Sequence, residues 1–393
     1  MEHRKFSRLS PIYRHIIFIV IVFAVISNFA CAKKQTAEIR IGVLAMLSGD
    51  EPVNIKKSGE PTVNAAKLAA DEINNNGGIK IGDLKYKIVL FIEDDRNNPN
   101  EAAAAAQRLI NKHNIAAIIG PQRSKNAIPV AELSDSLHIP MVSPKSTAPA
   151  TTAGKRYVFR VGFIDPFQGQ VLARFAYDSL KARNAAVLYN IASEYNRGLA
   201  EAFKKAFTSY GGKISAFENY TTDVTDYKVQ LDRIHSAKPD VLILPNFTAE
   251  ICQQAEQARK TGINAHLLFG DGFGISSVDN PILLDGSYQC GHWHPDSTNP
   301  ESQTFVTNYK KAYGNDPNET AALTYDAVKL LIYAMEKQGN TDSESIRNGL
   351  SGIQRYQGVS GVISYHETGD PVKSAIIWQI KDGKGLFYKQ IDP

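Results

Sequence analysis

From Glu38 to about Phe269, short runs rich in β-branched and apolar residues alternate with longer stretches whose apolar positions recur every three to four residues. A crossover between parallel strands takes a dozen or more residues, and a helix supplies them, so this alternation predicts parallel sheets flanked by helices. Residues 39–44 predict the first strand. Residues 62–76 predict a helix with Val63, Ala66, Ala70 and Ile73 on one face, and Gly77-Gly78 stops it with left-handed backbone. A strand over 86–92, an alanine-rich helix over 100–112, a strand over 116–119 ending at Gly120-Pro121, a helix over 125–137 and a strand over 140–142 complete the series.

A second series opens near Ala185. It has strands over 186–189, 213–217, 241–244 and 266–269, and helices over 195–210, 226–236 and 249–261 between them. Two such series in 393 residues predict an α/β chain with two lobes, since one core rarely grows past ~300 residues. Ligands of parallel sheets sit beyond the carboxyl ends of the strands. The loops 45–60, 120–126, 143–150, 190–196, 245–249 and 270–276 are therefore where chemistry is expected.

Composition narrows the classes. Hydrophobic residues make up 43% and charged residues 21%, the balance of an ordinary globular chain. The formal charge is +4, from 44 basic and 40 acidic residues; four of the basic and one of the acidic fall in the first thirty, leaving 40 against 39, or +1. Interspersed charges of that kind do not make a nucleic-acid footprint. No P-loop, nucleophile elbow or glycine-rich dinucleotide fingerprint is present, so neither an enzyme nor a cofactor is expected. Arg4, Lys5, Arg8 and Arg14 precede an apolar run over 16–30, shorter than the roughly 20 residues a spanning helix needs, which predicts an export signal over 1–30. Beyond it, Cys252 and Cys290 either pair in an oxidising compartment or stay as buried thiols. His292 and His294 flank Trp293, but adjacent histidines without further ligands are poor grounds for a metal, and none is expected.

Specific motifs add a resemblance. Ile41-Gly42-Val43-Leu44 with Leu47-Ser48-Gly49, Ala70-Asp71-Glu72-Ile73-Asn74 and Gly77-Gly78-Ile79 resemble the opening of the type I periplasmic binding proteins, above all those for leucine, isoleucine and valine. Glu93-Asp94-Asp95, Ile119-Gly120-Pro121, Pro140-Met141-Val142-Ser143-Pro144, Glu194-Tyr195-Asn196-Arg197-Gly198, Gly270-Asp271-Gly272 and Gly369-Asp370-Pro371 continue the match in order. The resemblance implies two Rossmann-like lobes with parallel sheets joined by three crossovers, near 159–162, 289–292 and 360–363. The first lobe would comprise 38–160 plus 291–360, and the second 161–290 plus 361–393. Ala30 before Cys31 resembles a bacterial lipoprotein attachment site, from which Asn28 and Phe29 depart.

The same resemblance implies a ligand site, and each member has an ordinary alternative. Ser124 would hold a ligand carboxylate at a helix N-terminus, or simply act as an N-cap. Thr147 and Ser146, beside Lys145, would contact the same ligand end, or serve as turn residues. Asp271 would face the ligand's ammonium group, or be an exposed turn aspartate. Tyr195 would touch ligand or pack at a helix start. Phe247 stands where the valine-type proteins carry a tyrosine, and Asn97 and Arg123 stand where they carry a disulfide. Arg123, Lys145, Lys56 and Lys57 form a cationic mouth that suits a ligand with extra negative charge, or are solvated surface charges. The function implied is an exported receptor, monomeric, that captures an amino acid or amino-acid-like molecule and delivers it to an ABC-type permease. A sensor of the same fold, or a receptor for another organic acid or amide, is the alternative.

Overall fold

The computed structural model describes residues 37–49 and 58–393; the export-signal stretch, Cys31, Lys56 and Lys57 lie outside them. The chain opens with β1 (Ala37–Ala45), α1 (Glu60–Asn75), β2 (Ile79–Ile81), β3 (Leu84–Asp94) and α2 (Pro99–His113). It continues through β4 (Ala117–Ile119), α3 (Ser124–Ser136), β5 (Met141–Ser143) and β6 (Val158–Arg160). These strands form one six-stranded sheet in the order β2-β3-β1-β4-β5-β6, with β1, β4, β5 and β6 parallel and β2 folded back antiparallel on β3. The strands read as unbroken apolar runs because both faces are covered. Ile41, Val43, Ile119 and Val142 point into one core, and Leu44, Ile118 and Met141 into another shared with Ala105 and Leu109 of α2.

After β6 the chain changes sheet. Val161 packs in the first lobe's core and Phe163 in the second's, so the connection occupies a single turn. There follow α4 (Asp165–Arg174), β7 (Asn184–Asn190), α5 (Glu194–Ser209), β8 (Lys213–Tyr220), α6 (Lys228–Ala237), β9 (Val241–Leu244), α7 (Thr248–Lys260), β10 (His266–Phe269) and β11 (Tyr288–Gly291). Strands β8, β7, β9, β10 and β11 lie parallel in that order. One face of this second sheet packs on α4 and α5, through Leu172, Leu199 and Phe203, and the other on α6 and α7, through Leu231 and Ile251.

Beyond residue 269 the hydrophobic pattern predicts no elements, and there the chain goes back and forth. Helices α8 (Pro300–Tyr313), α9 (Glu319–Gln338) and α10 (Ser343–Ser351) return to the first lobe, where Leu323, Val328 and Leu331 of α9 close its core. A small sheet of β12 (Tyr356–Gly358), β13 (Gly361–Tyr365) and β14 (Pro371–Val372) follows. Strands β15 (Ala375–Lys381) and β16 (Lys384–Ile391) then add antiparallel to β11 and complete a seven-stranded second sheet. The third crossover expected at 360–363 falls later: Ile363 and Tyr365 alternate inward into the first core, and the second sheet resumes only at Ala375. Residues 361–365 therefore belong with the first lobe, contrary to the boundary expected from the sequence.

Arg160, fully buried at the end of β6, gathers the pieces. Its Nη1 donates to the Ser146 carbonyl (2.7 Å), its Nη2 to the Ala148 carbonyl (2.9 Å) and to Thr152 Oγ1 (2.6 Å), and its Nε lies 2.8 Å from Asp370 Oδ1. The Tyr365 hydroxyl donates to the Arg160 carbonyl at 2.7 Å. Removing one partner from a buried, hydrogen-bonded ion pair costs about 3–5 kcal/mol. Arg160→Met should lower stability by about 3 kcal/mol in urea unfolding; a loss under about 0.5 kcal/mol would show that the surrounding loops hold themselves.

Candidate functional site

The carboxyl ends of the two parallel sheets enclose a cavity of about 600 Å³. Its first-lobe wall is built on α3. Ser124 is the first residue of that helix and Arg123 its N-cap, so the serine does not cap its own helix as a sequence reading allows. Instead Ser124 Oγ accepts hydrogen bonds from Ser146 Oγ (3.1 Å) and the Ala148 amide (3.3 Å). A hydroxyl carries one donor and two acceptor sites, so the proton left over can serve a ligand oxygen. Ser146, itself bonded to Thr151 Oγ1 at 2.7 Å, does not line the cavity; it stands behind Ser124 and positions it. Thr147 lines the wall, and its carbonyl accepts from the Asp165 amide at 2.9 Å.

The second-lobe wall is set by close approach. Tyr195, near the start of α5, accepts a hydrogen bond on its hydroxyl from the Gly272 amide at 2.9 Å. A Cβ on Gly270 would meet that hydroxyl at 2.5 Å, and one on Gly272 would lie 2.9 Å from the ring, so both glycines answer to the tyrosine. The aspartate between them is buried, not the exposed turn residue that Gly-Asp-Gly suggests. Gln168 Nε2 donates to Asp271 Oδ1 at 3.1 Å, and His292 Nε2 lies 3.4 Å from Oδ2. Burial pushes this carboxyl up, but the hydrogen bond from His292, with His292 and Lys145 beside it and Tyr195 adding another, more than offsets burial and holds it below the usual carboxylate range.

Two cations cross from the first lobe to the second. Lys145 Nζ donates to the Asp271 carbonyl at 2.9 Å and pairs with Glu319 Oε2 at 2.8 Å. Burial alone would lower its pKa; the Glu319 and Asp271 charges outweigh that and raise it. The Arg123 guanidinium stacks on the Phe247 ring, 4.2 Å from its centroid, and that ring lies 5.3 Å from Tyr195. The cationic mouth expected from sequence is thus partly spoken for: two of its members lie outside the described residues, and the other two engage partners across the cleft.

Glu319 and Gln122 line the cavity although no motif in the sequence singles them out, whereas Trp293 and His294, which the sequence does mark, line it as well. Glu319 comes from the first turn of α9, where a carboxylate suits the helix dipole, and its Oε1 accepts the His292 amide. Gly291 makes room for it, since a Cβ there would meet Glu319 Oε1 at 2.7 Å. Gln122 lines the cavity, donates to Thr62 Oγ1 and Thr324 Oγ1, and leaves Oε1 without a partner. His294 bonds the Asp296 amide and faces the Gly385 carbonyl, while Trp293 Nε1 donates to Ser302 Oγ. Among the described residues no cluster of three or more His, Cys, Asp or Glu could hold a metal. Cys252 and Cys290 form no disulfide with one another.

Comparison with known proteins identifies relatives over nearly the whole chain. A family model described as periplasmic binding protein matches residues 38–384. The Leu/Ile/Val-binding protein BraC3 of Rhizobium johnstonii is 30% identical over 357 residues, covering 88% of this chain and 92% of that protein. The structure of the leucine-binding protein LivK of Thermotoga maritima matches with a TM-score of 0.80 at 32% identity, over 90% of this chain and 99% of that one. LivJ of Streptococcus pneumoniae, a branched-chain amino acid transporter substrate-binding protein solved with isoleucine, matches with a TM-score of 0.80 at 26% identity, over 91% and 100%.

Behind the cavity, Asp165 is buried with both carboxylate oxygens unpartnered. Burial foremost, and then the Asp271 charge, push its pKa from 3.8 up to about 8. Between those values the folded chain keeps a proton that the unfolded chain releases, so stability falls as pH rises through that window. Asp165→Asn should therefore raise the thermal midpoint relative to the parent at pH 8 and leave it nearly unchanged at pH 4. Equal shifts at both pH values would refute the buried, protonated acid.

Proposed function

The chain belongs to the periplasmic binding protein family, and from that membership we propose that its two lobes close on a small carboxylate-bearing molecule, an amino acid or a close analogue, and present it to an ABC-type permease. Family membership sets its work outside the cytoplasm. The observation that carries the reading is the cavity between the two sheets, with a spare hydroxyl donor at the N-terminus of α3 on one side and an aromatic pair on the other. Ser124 and Thr147 hold the ligand's carboxylate at the N-terminus of α3, where the helix dipole favours an anion. Tyr195 and Phe247 cover it from the second lobe, with Asp271 behind them and the Arg123 stack at the entrance. The receptor acts as a monomer.

Closure is a rigid-body motion about the three connections, with ligand favouring the closed state. A thermal-shift screen of the purified chain against amino acids and organic acids identifies the ligand, because a tight binder raises apparent stability by mass action. With that ligand, calorimetry should find Ser124→Ala and Thr147→Ala each weaker by about 1–3 kcal/mol. Unchanged affinity in both variants would put the carboxylate elsewhere.

The anchoring part of the proposal is tested separately: Cys31 becomes the mature N-terminus and carries lipid, and mass spectrometry of the membrane-extracted protein reads this directly. An unmodified Cys31, or a different mature N-terminus, removes the anchor and leaves the receptor reading intact.

A further inference from the structure

We propose that Lys145 determines the specificity of the cleft, and that it selects a carboxylate with an apolar body and no free α-amine. The inference rests on the receptor reading above and narrows its ligand class.

An ammonium group on a ligand needs acceptor oxygens at about 3 Å, and a carboxylate for preference. Among the described residues three acidic side chains line the cavity: Asp316, exposed and paired with Lys310 at 3.0 Å, and two buried ones that could hold a ligand ammonium between the lobes, Glu319 from the first and Asp271 from the second. Neither is open. Glu319 gives one oxygen to the His292 amide and the other to Lys145 Nζ, and the Asp271 carbonyl takes a second hydrogen bond from the same Nζ. The Asp271 side chain is bonded by Gln168 and faced by His292. A protein ammonium, covalently tethered to the first-lobe wall between Ser143 and Thr147, thus occupies the place between the lobes where a ligand ammonium would be held. A second one beside it would meet a like charge in a desolvated site.

The donors point to the opposite chemistry. An ammonium has three N–H groups, and two of those on Lys145 are matched, by Glu319 and by the Asp271 carbonyl. The third, together with the spare proton on Ser124, suits a ligand oxygen: a carboxylate, or an α-oxo or α-hydroxy group next to one. Elsewhere the cavity is walled by Phe247, Phe273, Ile275 and Trp378, which favour an apolar or planar body over a charged one.

Matched ligands that differ only at the α-carbon test this on the purified full chain: leucine against 4-methyl-2-oxopentanoate, and phenylalanine against phenylpyruvate. Calorimetry should find the oxo acid about tenfold or more tighter than its amino partner in at least one pair. Lys145→Met keeps an unbranched side chain one atom shorter and removes the charge; it should cut that preference by at least about tenfold, or reverse it, because Glu319 and the Asp271 carbonyl are then open to a ligand amine. Lys145→Arg should retain the preference. A residue that only latched the lobes together would weaken both members of a pair alike, so a ratio unchanged in Lys145→Met overturns the proposal. So does a parent chain that binds the amino acid tighter than its oxo partner; that comparison needs no variant to fold and leaves the receptor reading standing. If a cooperatively melting parent binds neither member of either pair at millimolar concentration, nor any carboxylate in the wider screen, the receptor reading fails and this inference with it.

Discussion

The whole binding wall of the first lobe hangs on one buried guanidinium. Arg160 has no exposure to solvent and holds two carbonyls and a hydroxyl of the loop that carries Thr147, and pairs with the carboxylate of Asp370 from the return of the chain. A planar fork with fixed donor directions fits this task where a lysine would not. The loop that lines the cavity at Thr147 and the returning segment at Asp370 are thereby tied to one side chain. Small displacements of Asp370 reach Ser146 through two bonds, and Ser146 fixes the Ser124 hydroxyl.

Around that piece the cleft is organised as facing pairs rather than as a single pocket. Arg123 meets Phe247, Lys145 meets the Asp271 carbonyl, and Glu319 meets the backbone of the second crossing at His292. Each pair has one partner on each lobe or on the connection between them. Opening the cleft rehydrates all of them at once, so closure is governed by a set of modest interactions that are made or lost together. A cation stacked on an aromatic face is worth about 0.5–2 kcal/mol, and charged hydrogen bonds about 1.5–3. Sums of that size leave both states accessible to a ligand that favours one of them.

The regular part of the fold was legible because it obeys one period at a time. The short, largely apolar runs at 241–244 and 266–269 are strands whose limits agree with the sequence to the residue, since both faces of the sheet are covered. Past residue 269 the chain visits both lobes in turn, and no local pattern marks which core a segment will join; Ile363 and Tyr365 look the same whichever lobe receives them. Site residues followed the same division. Ser124, Thr147, Tyr195, Phe247 and Asp271 lie on loops whose position a parallel sheet dictates, and all five line the cavity. Ser146 came with them in sequence but faces away. Glu319 lay outside every expected loop and Gln122 inside one without being singled out, because what makes them site residues is contact across long stretches of chain, such as the 202 positions from Gln122 to Thr324.

The order in which the second sheet is assembled carries a consequence for how the protein is made. Strand β11 emerges with one edge unpaired and stays so until β15 arrives more than eighty residues later, after three helices of the other lobe and the small sheet have been synthesised. Neither lobe can finish before nearly the entire polypeptide exists. Contacts of such long sequence separation slow folding, because loop closure must precede the stabilisation it brings. The core between Leu44 and Val158 can form early, but the β11 edge stays exposed until β15 is made, and any other strand can occupy it. The segment from Ala375 to Ile391 thus acts as the closing stitch of the second sheet, joined to strands made long before it.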